Sequence, residues 1–290
     1  MSAEPGTLVP TVKLNNGVEM PQFGLGVFQV PPPETARIVS DALAAGYRSI
    51  DTAAAYVNET GVGEAIARSG IERGELFVTT KLPNTHHGHD TALAQFEESL
   101  RRLALDYVDL YLIHWPVPAF DLYPETWEAL IKIAESGRAR AIGTSNFNID
   151  HLERIIGETG FVPAINQVEL HPGFSQAELR EFHGRQGIVT ESWSPLAQVA
   201  PQLMTHPAIT DAGTAHDKTA AQVIIRWHVQ LGCVVIPKAS SPARLAENID
   251  VFDFELSADE MAAIDAIDVV GRIGGDPATF TTQPEHSDDD

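Results

Sequence analysis

SerIleAsp at 49–51, PheValThrThrLys at 77–81 and LeuTyrLeuIleHis at 110–114 are apolar runs that each end on a titratable side chain. The pattern continues along the chain. AlaIleGlyThr runs into Ser145 and Asn146, AlaIleAsn into Gln167, IleValThrGluSer into Trp193, and CysValValIlePro into Lys238. Short apolar runs of this kind predict strands buried on both faces, as in a parallel sheet covered by helices. Helical periodicity is read between them over Glu34–Ala45, Glu59–Arg68, Thr91–Leu103, Pro124–Glu135, Ile149–Ile156, Gln176–Arg185, Thr219–Gln230 and Pro242–Asn248. With a first strand around Phe23–Val27, the alternation predicts an α/β fold, a (β/α)8 TIM barrel. Polar strand ends then converge on the carboxyl rim, where barrel enzymes collect their catalytic residues.

Apolar alternation around Asn16-Gly17 predicts a hairpin plugging the amino-terminal mouth. The 290 residues suit a single barrel domain over 1–290 with a C-terminal tail, and 1–7 and 276–290 are expected to be flexible. No apolar stretch reaches the length of a membrane span and no basic start precedes an apolar segment, so a cytoplasmic protein without membrane partners is expected. Cys233, the one cysteine, lies in an apolar run and reads as a buried, inert thiol. A net charge of -21 argues against nucleic acid as a partner. Against that field, Lys238 and Arg244 beside Ser240 and Ser241 form a local basic cluster suited to an anion.

Seven motifs in order carry a resemblance to the aldo-keto reductases, close to the bacterial 2,5-diketo-D-gluconic acid reductase group. They are GlyTyrArgSerIleAspThrAlaAlaAlaTyr at 46–56, ThrThrLysLeu at 79–82, LeuIleHisTrpPro at 112–116 and GlyThrSerAsnPhe at 143–147, followed by AsnGlnValGluLeuHisPro at 166–172, SerTrpSerProLeu at 192–196 and IleProLysAlaSerSerProAlaArgLeuAlaGluAsn at 236–248. The resemblance implies NADPH-dependent reduction of aldehydes or ketones by a monomer. It implies Tyr56 as proton donor, Lys81 lowering the phenol's pKa, Asp51 as the partner of Lys81, and His114 orienting the substrate carbonyl. Ser145, Asn146 and Gln167 would hold the nicotinamide carboxamide, with Trp193 stacked on the ring. Ser194 and Leu196 would cover the pyrophosphate. The stretch with Ile236, Lys238, Ala239, Ser240, Ser241 and Arg244 would hold the adenosine 2'-phosphate, and Glu247 and Asn248 would face adenine. Arg244 and Glu247 could instead form a solvated helical pair. Two positions depart from the family pattern: Ala239 stands where Ser is common, and Pro83 where Trp is.

Phe28, Tyr56, Trp115 and Trp193 are expected to wall a pocket for a small-molecule carbonyl substrate. Sugar-derived dicarbonyls, methylglyoxal-like oxoaldehydes and aromatic aldehydes all fit that description. GlyLeuGly at 24–26 lacks the third glycine and context of a dinucleotide fingerprint and reads as a strand end. Two alternatives belong to other classes. One is a non-catalytic regulatory barrel that binds NADPH, like the potassium-channel β-subunits that resemble this family. The other is a metal-dependent barrel hydrolase or isomerase using His86, His87 and His89, although no metal is expected on the main reading.

Overall fold

A computed structural model describes residues 9–281. The expected flexible segment 1–7 and the last part of the tail lie outside these residues. The chain opens with a hairpin of β1 (Thr11–Lys13) and β2 (Glu19–Pro21), paired antiparallel with Val12 opposite Met20. Gly17 takes a φ of 88° in the turn, and Asn16 Oδ1 accepts the Val18 N–H, so the Asn-Gly pair supplies both the geometry and the local bond the turn needs. Leu14 and Met20 pack in one apolar cluster with Leu110, Leu112, Ile165 and Val234. Asn16 Nδ2 meanwhile donates to Arg140 O, at the start of a barrel strand. The hairpin therefore closes the amino-terminal end.

Eight strands follow: β3 (Leu25–Gly26), β4 (Ser49–Asp51), β5 (Phe77–Leu82), β6 (Val108–Ile113), β7 (Ala139–Ser145), β8 (Ile165–Glu169), β9 (Val189–Trp193) and β10 (Val234–Val235). They pair in chain order, every pair parallel. A parallel bridge between Phe23 and Val235 joins the two edges and makes the sheet a barrel. Every residue of β5 and β6 is buried, which explains why apolar residues dominate them on both faces, with Thr79, Thr80, Lys81 and Asp109 as the exceptions.

The outer layer contains α1 (Pro32–Ala44), α2 (Glu59–Arg68), α3 (His89–Leu103), α4 (Tyr123–Glu135), α5 (Ile149–Thr159), α6 (Ala177–Gln186), α7 (Pro201–Met204), α8 (Pro207–His216), α9 (Ala220–Gln230) and α10 (Pro242–Ile249), with α11 (Ala258–Asp265) after the barrel. Side-chain caps set several of the starts: Thr219 and Gln222 form a capping box on α9, and Ser257 and Glu260 form one on α11. Helices α7, α8 and α11 were not expected from the periodicity. In α8 only Ile209, Ala212 and Gly213 are buried, too few large apolar residues to mark a face. Cys233 is buried, and burial pushes its thiol up to about 11, the inert state expected. Among the described residues no helix is long and apolar enough to cross a membrane.

Candidate active site

Parallel pairing puts the carboxyl ends of the strands on one rim, and four side chains meet there. Asp51 ends β4, Lys81 lies near the end of β5, and His114 follows β6. Tyr56 closes the short 3-10 turn Ala54–Tyr56 that leaves β4. Lys81 Nζ donates to Asp51 Oδ1 at 2.5 Å, to Thr52 O at 3.1 Å and to Tyr56 Oη at 3.2 Å. Its three protons thus have three acceptors. The Tyr56 and His114 rings meet edge to face at 5.5 Å, so the phenol and the imidazole border the same space.

Burial opposes the charge on Lys81, but the Asp51 carboxylate and the phenol hold its ammonium above the ordinary lysine range. For Tyr56 the balance differs from the expectation. Burial raises the phenol's pKa, Asp51 adds to the rise, and the nearby Lys81 ammonium offsets only part of it, leaving the group above its ordinary value. The phenol is therefore neutral, and the Lys81 ammonium donates a hydrogen bond to its oxygen. Burial, with Lys81 and His87 behind it, holds His114 well below its ordinary pKa, so the ring is neutral.

The positions expected to hold a nicotinamide line the next strands. Ser145 Oγ donates to Gln167 O at 3.0 Å, and Asn146, at φ 64°, donates to His114 O at 3.0 Å. Trp193 Nε1 donates to Asn146 Oδ1 at 2.8 Å, which fixes the indole plane against that strand end. Gln167 Nε2 spans two carboxylates, Asp51 at 2.8 Å and Glu191 at 2.9 Å. This set offers the donors and acceptors that a planar carboxamide requires. Ser194 has a φ of 47°, and beyond Leu196 the residues Ala197, Gln198 and Val199 are all left-handed, so the loop rises off the rim in a tight turn.

Ile236 and Ala239 are buried, whereas Lys238, Ser240 and Arg244 are exposed at the start of α10. Ser241 caps that helix, accepting the Arg244 N–H. Neither Lys238 nor Arg244 pairs with a described carboxylate, and Glu247 takes the Thr219 hydroxyl at 2.7 Å in place of the helical pair with Arg244. Two unpaired cations at a helix amino terminus fit a phosphate. Asn248 is buried behind them.

On the substrate side Phe28 packs on Tyr56 at 5.0 Å and Trp115 faces Trp193 at 6.5 Å. Histidines 86, 87 and 89 do not converge. His86 bonds Thr85, His89 bonds Asp90, and His87 is buried, its pKa lowered to about 4 by that burial. Among the described residues no group of three or more His, Cys, Asp or Glu side chains is placed to hold a metal ion. Three contributors escaped the sequence reading. Glu191 was legible only as a carboxylate inside an apolar run. Glu169 accepts the backbone N–H groups of Ile273 and Gly274, and Phe280 stacks on Trp115 at 4.1 Å. Long-range contacts from an unpatterned tail leave no local signal.

The chain matches the Aldo/keto reductase family over residues 20–269. It is 54% identical over 271 residues to an aldo-keto reductase of Mycobacterium sp. (strain JLS), covering 93% of this chain and 98% of the relative. It is 51% identical over 274 residues to glyoxal reductase of Bacillus subtilis (strain 168), covering 94% and 98%. Among solved structures, a mutant of Gox0644 in complex with NADPH superimposes with a TM-score of 0.90 at 49% identity, covering 94% of this chain and 99% of that one.

Proposed function

Because the chain belongs to the aldo/keto reductase family, we propose that it reduces small aldehydes and ketones to alcohols with NADPH, Tyr56 giving the proton. The observation that carries this reading is Lys81 Nζ bonded at once to Asp51 and to Tyr56 at the barrel rim. Bound NADPH supplies the hydride that reaches the carbonyl carbon. Tyr56 Oη gives its proton to the oxygen as negative charge grows there, and the Lys81 ammonium stabilises the phenolate left behind. Asp51 keeps that ammonium charged. His114, neutral, orients the carbonyl by hydrogen bonding to its oxygen. Water then returns a proton to Tyr56.

Ser145, Asn146 and Gln167 hold the carboxamide, Trp193 covers one face of the nicotinamide, and the loop with Ser194 and Leu196 lies over the pyrophosphate. Lys238, Ser240, Ser241 and Arg244 take the 2'-phosphate, Ser240 standing in for the hydroxyl that Ala239 lacks; Ile236 backs this segment, and Glu247 and Asn248 face adenine. Likeness to glyoxal reductase and to a protein solved with NADPH supports this assignment. The aromatic wall of Phe28, Trp115 and Trp193 suits compact carbonyls. We place the chain near the 2,5-diketo-D-gluconic acid reductase group, on the seven motifs, with a vicinal dicarbonyl as the preferred substrate class. A single-domain cytoplasmic monomer completes the proposal.

A steady-state panel of glyoxal, methylglyoxal, sugar-derived dicarbonyls and aromatic aldehydes with NADPH tests it. Highest kcat/KM on a dicarbonyl is expected. NADPH fluorescence quenching without turnover on any carbonyl would favour a non-catalytic barrel.

A further inference from the structure

We propose that Glu191 is a positioning residue for this reaction: through Gln167 and Asp51 it carries one exchangeable proton, and its loss to water adds a negative charge that makes the Tyr56 phenol harder to ionise. The proposal rests on the reading of Tyr56 as the acid. Glu191 lies in the middle of β9 and is fully buried. Its Oε2 accepts from the same Gln167 nitrogen that donates to Asp51, and its Oε1 has no hydrogen-bond partner among the described residues. A continuous chain therefore runs from Glu191 through Gln167, Asp51 and Lys81 to Tyr56.

The charges along this chain do not balance. The groups facing Glu191 are Asp51 from β4, Lys81 from β5 and the Gln167 amide from β8, while β10 sets the apolar Val234 in register with it. Two carboxyl groups thus share one ammonium, and that ammonium contacts Asp51. Ionising both in a buried cluster leaves a net negative charge without solvent to spread it. The carboxyl without a cation keeps its proton, and burial followed by the Asp51 charge pushes Glu191 up to about 8. Loss of that proton raises the pKa of Tyr56, because the new charge opposes tyrosinate. Reduction, which needs the neutral phenol, is protected at alkaline pH; alcohol oxidation, which needs tyrosinate, is held back.

Glu191→Gln preserves shape and the amide contact but cannot ionise. In the holoenzyme, with chemistry shown to limit by a deuterium isotope effect, two limbs are followed: the alkaline limb of carbonyl reduction and the acid limb of alcohol oxidation. Both should move to lower pH by about one unit, the order expected for a unit charge inside a protein. Limbs that stay at their wild-type positions would reduce Glu191 to packing and overturn the proposal. Infrared titration of wild-type holoenzyme provides a readout independent of turnover. A protonated carboxyl band should be lost near pH 8, as the Glu191 pKa of about 8 requires, be missing from Glu191→Gln and shift in Glu191→Asp. Should the Gln variant fail to fold, absence of that transition in the wild type overturns the proposal alone. The band is also measurable in Tyr56→Phe, so an error in assigning the acid is distinguishable from an error about Glu191.

Discussion

Gly274 lies so close to the edge of the Trp193 indole that a β-carbon at 274 would collide with Cη2. That contact is held by the end of β8, on which the tail is hooked. Glu169 accepts the N–H groups of Ile273 and Gly274 at 2.6 and 2.7 Å, and His171 sits 3.1 Å from the same carboxylate. Burial works against the charge on Glu169, but these partners hold its carboxyl below the usual range. Further on, Phe280 stacks on Trp115 with the rings 29° apart. The segment is thus anchored at two places against the two tryptophans of the proposed pocket.

Glu169→Gln should release this strap. The variant keeps the size of the side chain but weakens two charge-assisted bonds, each worth roughly 1.5–3 kcal/mol. Amide exchange at Ile273 and Gly274 should rise, and KM for carbonyl substrates should increase about tenfold with a smaller change in kcat. Faster exchange with an unaltered KM would detach the strap from substrate binding.

Tyr56→Phe should separate chemistry from cofactor binding. Removing the hydroxyl takes away one hydrogen bond from Lys81 and the proposed proton donor, while the ring still packs between Phe28 and His114. Turnover should fall by ~100-fold or more, the size of a lost general acid. NADPH affinity, read by fluorescence titration, should change little. Retained turnover would mean that another group protonates the alkoxide.

The fold should be acid-sensitive, and the sign follows from its buried histidines. Burial lowers His87 from 6.5 to about 4 and both His183 and His228 from 6.5 to about 3. Each binds its proton later in the native state than in the unfolded chain. Stability from these groups is complete above pH 6.5 and drains away as pH falls toward those lowered values, by up to roughly 3 kcal/mol for His87. Glu191 acts in the opposite sense, its raised pKa favouring the fold below the unfolded carboxyl value and costing stability as pH rises through about 8. Urea midpoints measured across the acidic range should drop, and less steeply in His183→Gln. A slope as steep as wild type in that variant would assign the sensitivity elsewhere.

How much of this was legible depended on where the information is written. Barrel strands declare themselves because both faces are buried: the all-apolar Val108–Ile113 apart from Asp109 is an example, and Asp109 itself is neutralised by Arg73 and Arg140. Rim residues were legible because each interrupts such a run. Lys81 and Asp51 could be paired from their motifs, yet the net direction of the Tyr56 shift could not, since it depends on how much water the folded barrel excludes. Glu191 shows the same limit. As a letter it is one polar residue on a strand, and only the parallel register with Gln167 makes it share an amide with Asp51. The contacts of Gly274 and Phe280 join residues far apart in the chain, with no periodicity to announce them.

Arg244→Ala should expose how the protein tells NADPH from NADH. The guanidinium is exposed at the start of α10, beside Lys238, and no described carboxylate competes for it because Glu247 is occupied by Thr219. In a chain of net charge -21, an unpaired arginine at a helix amino terminus is a local reversal of the field. A charged hydrogen bond to the 2'-phosphate contributes ~1.5–3 kcal/mol, or about ten- to a hundredfold in affinity. The variant should lose roughly that factor for NADPH and almost nothing for NADH, which has no phosphate there. Added salt should narrow the wild-type preference and affect the variant less, because the screened pair is already gone. Fluorescence titration of both cofactors at two ionic strengths decides the matter: equal losses for NADH and NADPH would show that Arg244 supports the helix and does not read the phosphate.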